Sequence, residues 1–378
     1  MPPFADVLQW EHLPFPKSLR DFQRLFKDDA ACARYLEGAK WPKGFVCPHC
    51  EEKGEPFRIA TRPTILQCRK CRRQTGLMQG TVMQDTKTPL TVWFWAAYLV
   101  SSMTPGMSAV QFQRQLGLTR LETAWTMLHK LRSALVAPER DKLNAECSNA
   151  SHTEHWIEID EVYVGGKESG KERSGRGAES KALVMVAVEV HGWPAGKGDP
   201  ADDESGNEGG TRRRGGKADN EIGLRTKAGR CRMRIVEDGK AATILPFILD
   251  NVERGSVIWT DDNPAYNAAS RAGYHRMITV AKGDANPLPT LGRVTTNLKR
   301  WLIGTHKGAV QAQHLQAYLN EFTFRFNRRD YPWIAFNRVL SLAALGRPAV
   351  EYEGLYKHTW IHPNPTQGPM QAGFFHDE

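Results

Sequence analysis

Two short stretches place acids where a β-strand should end. In "SVIWTDDNPAY", residues 256–266, the apolar run Val257, Ile258, Trp259 breaks into adjacent carboxylates, Asp261 and Asp262, ahead of a Pro-containing turn. In "HWIEIDEVYVGGK", residues 155–167, alternation puts Trp156, Glu158 and Asp160 on one strand face and Ile157, Ile159 and Glu161 on the other. Acids on a sheet are costly unless they face water or a cation. Two carboxylates from neighbouring strands would hold Mg²⁺, a hard cation that prefers oxygen ligands. Two such ions about 3.5–4 Å apart can activate an attacking hydroxyl and stabilise a leaving oxygen in phosphodiester displacement. Either stretch alone is better explained as an exposed strand end.

A second chemistry is carried by sulfur. "CPHC" and "CRKC" set Cys47, Cys50, Cys68 and Cys71 as C-x2-C, 17 intervening residues, then C-x2-C. Two such knuckles aim four thiolates at one point and complete a tetrahedral Zn²⁺ site, with chance pairing or a redox C-x-x-C as the weaker alternative. Arg69, Lys70, Arg72 and Arg73 crowd the second knuckle, either as phosphate contacts or as a solvated basic turn. The other three of the seven cysteines, Cys32, Cys147 and Cys231, read as small core hydrophobes.

These residues need elements to position them. Residues 1–45 read as short helices, 46–80 as the zinc ribbon, and 88–140 as a helical segment. Within the last, "MSAVQFQRQLGLTRLETAWTMLHKLRSAL" holds two helical patterns broken at Gly117, with Thr119 as a candidate N-cap for the second. A helix, a Gly-containing turn and a helix bearing Arg120, Lys130 and Arg132 suit a helix-turn-helix, or equally a plain helical hairpin. Strand-like runs follow at 155–164, 182–190, 230–237 and 256–260, with an amphipathic helix after 239 and another over 312–329. The Gly-, Asp- and Arg-rich stretch 191–229 has hardly any apolar residues to offset its ordering entropy and reads as a flexible insertion. The tail 345–378 reads as extended. Strands in meander, then strands alternating with helices, describe a mixed α/β sheet in a multidomain α+β protein.

Composition bounds the partners. The 378 residues carry 51 Lys and Arg against 42 acids, a net charge of +9 that suits a polyanionic partner without requiring one. No apolar run approaches the roughly 20 residues of a membrane span, and "MPPFADVLQWEH" lacks the order of a signal peptide, so a cytoplasmic protein is expected. Beside a zinc ribbon and a basic balance, DNA binding becomes the better reading of the helical segment. Downstream of such modules, two acidic sites on adjacent strands favour catalysis over strand-end acids.

Taken in order, "WPKGFVCPHC…CRKC", "TAWTMLHKLR", "IEIDEVYVGGK", "WTDDNPAY", "NLKRWLIGTHKG" and "HLQAYLNEFTFRFNRR" resemble a bacterial insertion-sequence transposase of the DDE superfamily, in the ISXO-like group with an N-terminal zinc ribbon. The resemblance covers roughly residues 20–340. It implies a ribonuclease H-like catalytic domain over 150–340 using Mg²⁺ or Mn²⁺. It also implies cleavage at terminal inverted repeats in double-stranded DNA, strand transfer by the freed 3′-OH, action as a homo-oligomer and a place at the bacterial nucleoid. By position, the first catalytic acid falls on Asp160 and the second on Asp261. The basic residue of "LKR" falls on Lys299, beside Arg300.

The third acid departs from the pattern. The family has Glu, Asn or His seven residues before that Lys, and here the position is Gly292, 31 residues after Asp261. Glu321 is the best substitute acid, with a pair to Arg325 at i+4 as the stronger alternative. Asn297 is a further polar option, with helix capping as its alternative. In "FTFRFNRR", Phe322 and Phe326 read as core, while Arg325, Arg328 and Arg329 reach either DNA or solvent. Gly292 thus leaves two functional readings open: a working transposase, or a DNA-binding protein with a degenerate nuclease-like domain.

Overall fold

The computed structural model describes residues 16–103, 106–135, 142–145, 155–165, 181–194, 224–280, 286–307, 310–330 and 332–344. The chain divides into two compact units, Met1–Arg140 with Asn320–Glu378, and Asp141–Leu319.

The first unit begins with helices α1 (Leu19–Leu25) and α2 (Asp29–Lys40), capped by Ser18 and Asp28 side chains that accept from Asp21 and Ala31 backbone N–H groups. A small antiparallel sheet follows in the order β1 (Phe57–Arg58), β2 (Ile65–Gln67), β3 (Gln74–Gly76). Helices α3 (Leu90–Ser102), α4 (Ala109–Gln115) and α5 (Leu121–Ala134) come next. Gly117, at φ +62°, ends α4, and the Leu118 N–H donates to the Gln113 carbonyl at 3.0 Å. Thr119 does not cap α5. Arg120 occupies that position without a side-chain cap, while the Thr119 carbonyl accepts from Gln113 Nε2.

Two C-terminal helices, α9 (Ala312–Phe326) and α10 (Pro332–Ala344), follow the sheet domain, and the boundary between units falls inside α9. The sequence reading runs a single block from 150 to 340, whereas Asn320 onward belongs to the first unit. The reason is aromatic packing. Phe336 sits among Phe22, Phe26, Tyr35 and Phe94, and the Tyr35 hydroxyl donates to Asn337 Oδ1 at 2.6 Å. Cys32 is fully buried in the same core.

The second unit is a five-stranded mixed sheet in the order β6-β5-β4-β7-β8. Its strands are β4 (His155–Val164), β5 (Ala182–Pro194), β6 (Leu224–Val236), β7 (Val257–Thr260) and β8 (His275–Ile278), with the short helix α7 (Asn267–Arg271) between the last two. β4, β5 and β6 form an antiparallel meander, and β7 and β8 run parallel to β4. The outer strands reach further than the sequence reading. Pairings such as His191 with Lys227 and Trp193 with Arg225 continue the β5–β6 ladder into 191–229, beyond a bulge between Val188 and Val190. Residues 195–223 of that insertion, and the tail 345–378, lie outside the described residues, as does Cys147. Cys231 is buried in β6.

Alternation along β4 sorts its two faces. Ile157 and Ile159 join Met185 and Ala187 under helix α6 (Ala241–Asn251), through Ile244, Phe247 and Ile248. Trp156 and Glu158 turn to the other face, where helix α8 (Pro289–His306) lies. Both faces are therefore covered, and the acids of β4 must be accommodated inside.

Candidate active site

The two cysteine knuckles are built alike. Cys47 N–H bonds to Glu52 O and Glu51 N–H to Cys47 O, both at 2.9 Å; Cys68 N–H bonds to Arg73 O at 3.0 Å and Arg72 N–H to Cys68 O at 3.1 Å. Glu51 and Arg72, each just after the second cysteine of its pair, both take the left-handed conformation, at φ 57° and 61°. All four Sγ atoms lie within 4.8 Å of one another, and the Cys47–Cys71 and Cys50–Cys68 separations are 3.7 Å. Tetrahedral ligands about 2.3 Å from Zn²⁺ sit roughly 3.8 Å apart, so the thiolates fit that ion. Backbone N–H groups of Cys71, then Lys70, pull the Cys68 thiol down to about 7. Against the Glu52 backbone N–H, Cys50 is pushed up to about 12 by burial and the other three thiols, so the fit to zinc rests on the sulfur geometry. Among the described residues this is the one cluster of three or more metal-ligating side chains.

Around it, Arg69, Lys70, Arg72 and Arg73 are all exposed. Lys70 pairs with Glu52 at 2.7 Å and Arg69 Nε donates to the Glu55 carbonyl, so part of this basic turn also staples the ribbon.

In the sheet domain, β4 and β7 pair in parallel with Ile157 opposite Ile258 and Glu158 opposite Trp259. Continued by two residues, that register sets Asp160 opposite Asp261, the first residue beyond β7. The sheet thus brings together two acids a hundred residues apart. Both are half-buried. Burial pushes the Asp160 carboxyl up to about 7, and the charges of Glu161 and Asp261 add to the rise, against the Glu161 N–H that donates to Asp160 Oδ1 at 2.8 Å. A carboxyl so destabilised as an anion is one that a cation would restore.

Three neighbours shape the pair. The Tyr266 hydroxyl donates to Glu161 Oε2 at 2.7 Å, tying the residue after Asp160 to the turn after Asp261. Gly239 lies so close to Glu161 Oε1 that a Cβ there would come within 2.8 Å of it. From β8, Arg276 donates to the carbonyls of Asp261 (2.7 Å) and Asn263 (3.1 Å) and to Thr260 Oγ1 (2.8 Å). Asp261 Oδ1 itself accepts from the Asn263 N–H at 3.1 Å, a local turn bond. Asp262 is exposed. Arg276 and Gly239 lie in no motif, and Tyr266 closes the "WTDDNPAY" stretch without having been singled out. The only sequence signal for Tyr266 is its place five residues after Asp261.

Glu158 has a different task. It is fully buried, and its Oε2 accepts from the Leu291 N–H at 2.6 Å, so a strand residue caps the N-terminus of α8. Position 292 follows directly. Gly292 has an ordinary helical backbone, so conformation does not require glycine there, and glycine in a helix costs roughly 1 kcal/mol relative to alanine. Lys299, Arg300 and Asn297 are exposed further along α8; Asn297 is mid-helix and caps neither end.

Glu321 belongs to the first unit. Its side chain is 2% exposed, its Oε2 accepts from Arg132 Nε at 2.7 Å and its Oε1 from Arg325 at 3.3 Å. Its oxygens serve one buried and one half-buried guanidinium group, which is the i+4 pairing extended to a triad. Arg325, at 12% exposure, and Arg132, at 2%, are therefore internal rather than facing a ligand. Arg328 and Arg329 fold back over the Phe324 and Phe326 rings, 4.0 and 4.3 Å from their centroids.

Sequence comparison agrees with this layout. Residues 153–327 match the ISXO2-like transposase domain, and residues 27–74 match the transposase zinc-ribbon domain. The chain belongs to the ISXO2-like transposases. The matched span of the transposase domain takes in β4, β7, α8 and all of α9, and the zinc-ribbon match takes in all four cysteines. No curated protein and no solved structure matches the chain. Among the described residues, no helix is long and apolar enough to cross a membrane.

Proposed function

We propose that the transposase binds the terminal inverted repeats of its element and cleaves and transfers DNA strands with Mg²⁺ or Mn²⁺ held between Asp160 and Asp261. The observation that carries this reading is the Asp160–Asp261 juxtaposition, with Asp160 held up to about 7 by burial and by its neighbours' charge. The strand order, a meander followed by two parallel strands, is what a ribonuclease H-like domain implies. When bound, the ions supply activation of the attacking hydroxyl and stabilisation of the leaving oxygen. The chain's own part is to present two oxygen ligands from adjacent strands. Arg276 holds the Asp261 turn, and the Tyr266–Glu161 bond keeps the two acid-bearing segments together.

Exposed cations supply the polyanion contacts in this reading: Lys299 and Arg300 on α8, Arg72 and Arg73 on the ribbon, and Arg120 at the start of α5. The protein acts as a homo-oligomer that brings two element ends together. A degenerate domain rests on Gly292 alone, and the intact Asp160–Asp261 arrangement favours a working enzyme.

The test is incubation of purified protein with end DNA and Mg²⁺ or Mn²⁺. Strand nicking should fall at least about a thousandfold in Asp160→Asn and in Asp261→Asn, since metal stabilisation of transition-state charge supplies several kcal/mol. Cleavage that survives both changes would overturn the assignment.

A further inference from the structure

Gly292 poses a question that its backbone does not answer: a helical position with no need for glycine carries one. The answer lies in the space beside it. A Cβ added at residue 292 would collide with Asn286 Nδ2 and stand 3.3 Å from Asn286 Cγ. The amide of Asn286 therefore occupies the volume in which a residue-292 side chain would begin. It is held there by a turn bond, Asn286 Oδ1 accepting from the Leu288 N–H at 2.9 Å. The same end of α8 is fastened to the sheet through Leu291 N–H and Glu158, which lies two residues before Asp160 on the same strand face.

We propose that Asn286, reaching over Gly292 from the loop before α8, supplies the third oxygen ligand of the metal site, and that Gly292 is glycine to admit it. This rests on the reading of Asp160 and Asp261 as metal ligands. An amide carbonyl is a hard oxygen donor suited to Mg²⁺ or Mn²⁺. Its oxygen has two lone pairs, so the Leu288 bond leaves one for a cation. In this proposal the third ligand comes from six residues upstream of Gly292.

Mn²⁺ binding to the full zinc-loaded chain, read from the EPR signal of free Mn²⁺, tests this without requiring turnover. Asn286→Ala should weaken Mn²⁺ about tenfold or more, the scale on which residues supporting a metal act. Asn286→Asp should bind at least as tightly as the wild type. Gly292→Ala favours the helix but displaces the amide, so it should weaken Mn²⁺ while leaving the circular dichroism spectrum unchanged. Asn286→Ala combined with Gly292→Glu should restore binding, because the carboxylate then returns to the helix itself. Wild-type Mn²⁺ affinity in both Asn286→Ala and Gly292→Ala would overturn the proposal. Asp160→Asn and Asp261→Asn serve as the reference. If they too bind Mn²⁺ normally, the underlying metal-site reading fails; if they lose it while the Asn286 variants do not, only the Asn286 assignment fails.

Discussion

The zinc ribbon and the paired aspartates, the second of them a metal site only in the function proposed above, bring their side chains together by opposite means. In the ribbon, two copies of one local turn, each closed by the same two backbone bonds and the same left-handed residue, place four sulfurs in position. In the sheet domain, the acids come from strands β4 and β7, joined only by parallel pairing, and each depends on neighbours such as Tyr266, Arg276 and Glu158. Local assembly makes a site that spacing alone reveals. Non-local assembly makes one whose members can be exchanged, because any side chain that reaches the same point can serve.

The sharpest way to break this contrast is to remove one thiolate. Structural zinc contributes apparent folding energy of about 10–16 kcal/mol in zinc-finger peptides. Cys68→Ser, or chelation of the wild type, should therefore release zinc and abolish hydrogen-exchange protection in the β1–β3 ribbon. Retained protection would show that the small sheet stands without metal.

The next effect belongs to Glu321. Truncating one member of a buried ion pair costs about 3–5 kcal/mol, because the partner charge is stranded. Glu321→Ala should lower Tm by many degrees and leave Mn²⁺ affinity of the folded protein unchanged. Lost Mn²⁺ affinity with an unchanged Tm would instead make Glu321 a ligand and erase the distinction between the two regions.

A pH series sharpens the electrostatics. An aspartate ordinarily titrates near about 4, and Asp160 is raised to about 7. The folded state thus binds this proton more tightly than the unfolded chain. Its contribution to stability is complete below pH 4 and is lost as pH rises through 7. A divalent cation offsets that loss, so Mn²⁺ should raise Tm more at pH 8 than at pH 5, as differential scanning calorimetry can read. Equal shifts at both values would mean that Asp160 does not carry the effect.

The smallest change expected is in Glu158→Gln. It keeps the shape but replaces the carboxyl that caps α8 with an amide, at a cost of about 1–2 kcal/mol in urea unfolding. It should also loosen exchange protection at Leu291. An unaltered Leu291 amide would show that α8 is held by packing alone.

How far these features were legible varies with their range. Strand β4 was read to its last residue because alternation and β-branched content coincide over 155–164. Strand β8 was missed: "HRMI" is four residues long, with no alternation, and exists only because β7 offers it an edge. The ends of β5 and β6 were read as insertion because polar composition hides a ladder that two long strands sustain together. Thr119 looked like a cap by residue type, yet the helix starts one residue later. Glu321 shows the same limit for a site. Acidity made it a candidate ligand, and only burial against Arg132, 189 residues away in sequence, assigns it to the core.

The sequence by itself marked the four zinc-ribbon cysteines, because they are written in short spacing, and the order of its motifs carried the family resemblance from which the roles proposed for Asp160 and Asp261 follow. Tertiary structure alone decided which acids meet, that Glu158 caps a helix, that Arg276 and Tyr266 brace the aspartates, and that Asn286 fills the space over Gly292. Those relations join residues distant in the chain, and no local rule of spacing encodes a contact that the sheet must first create.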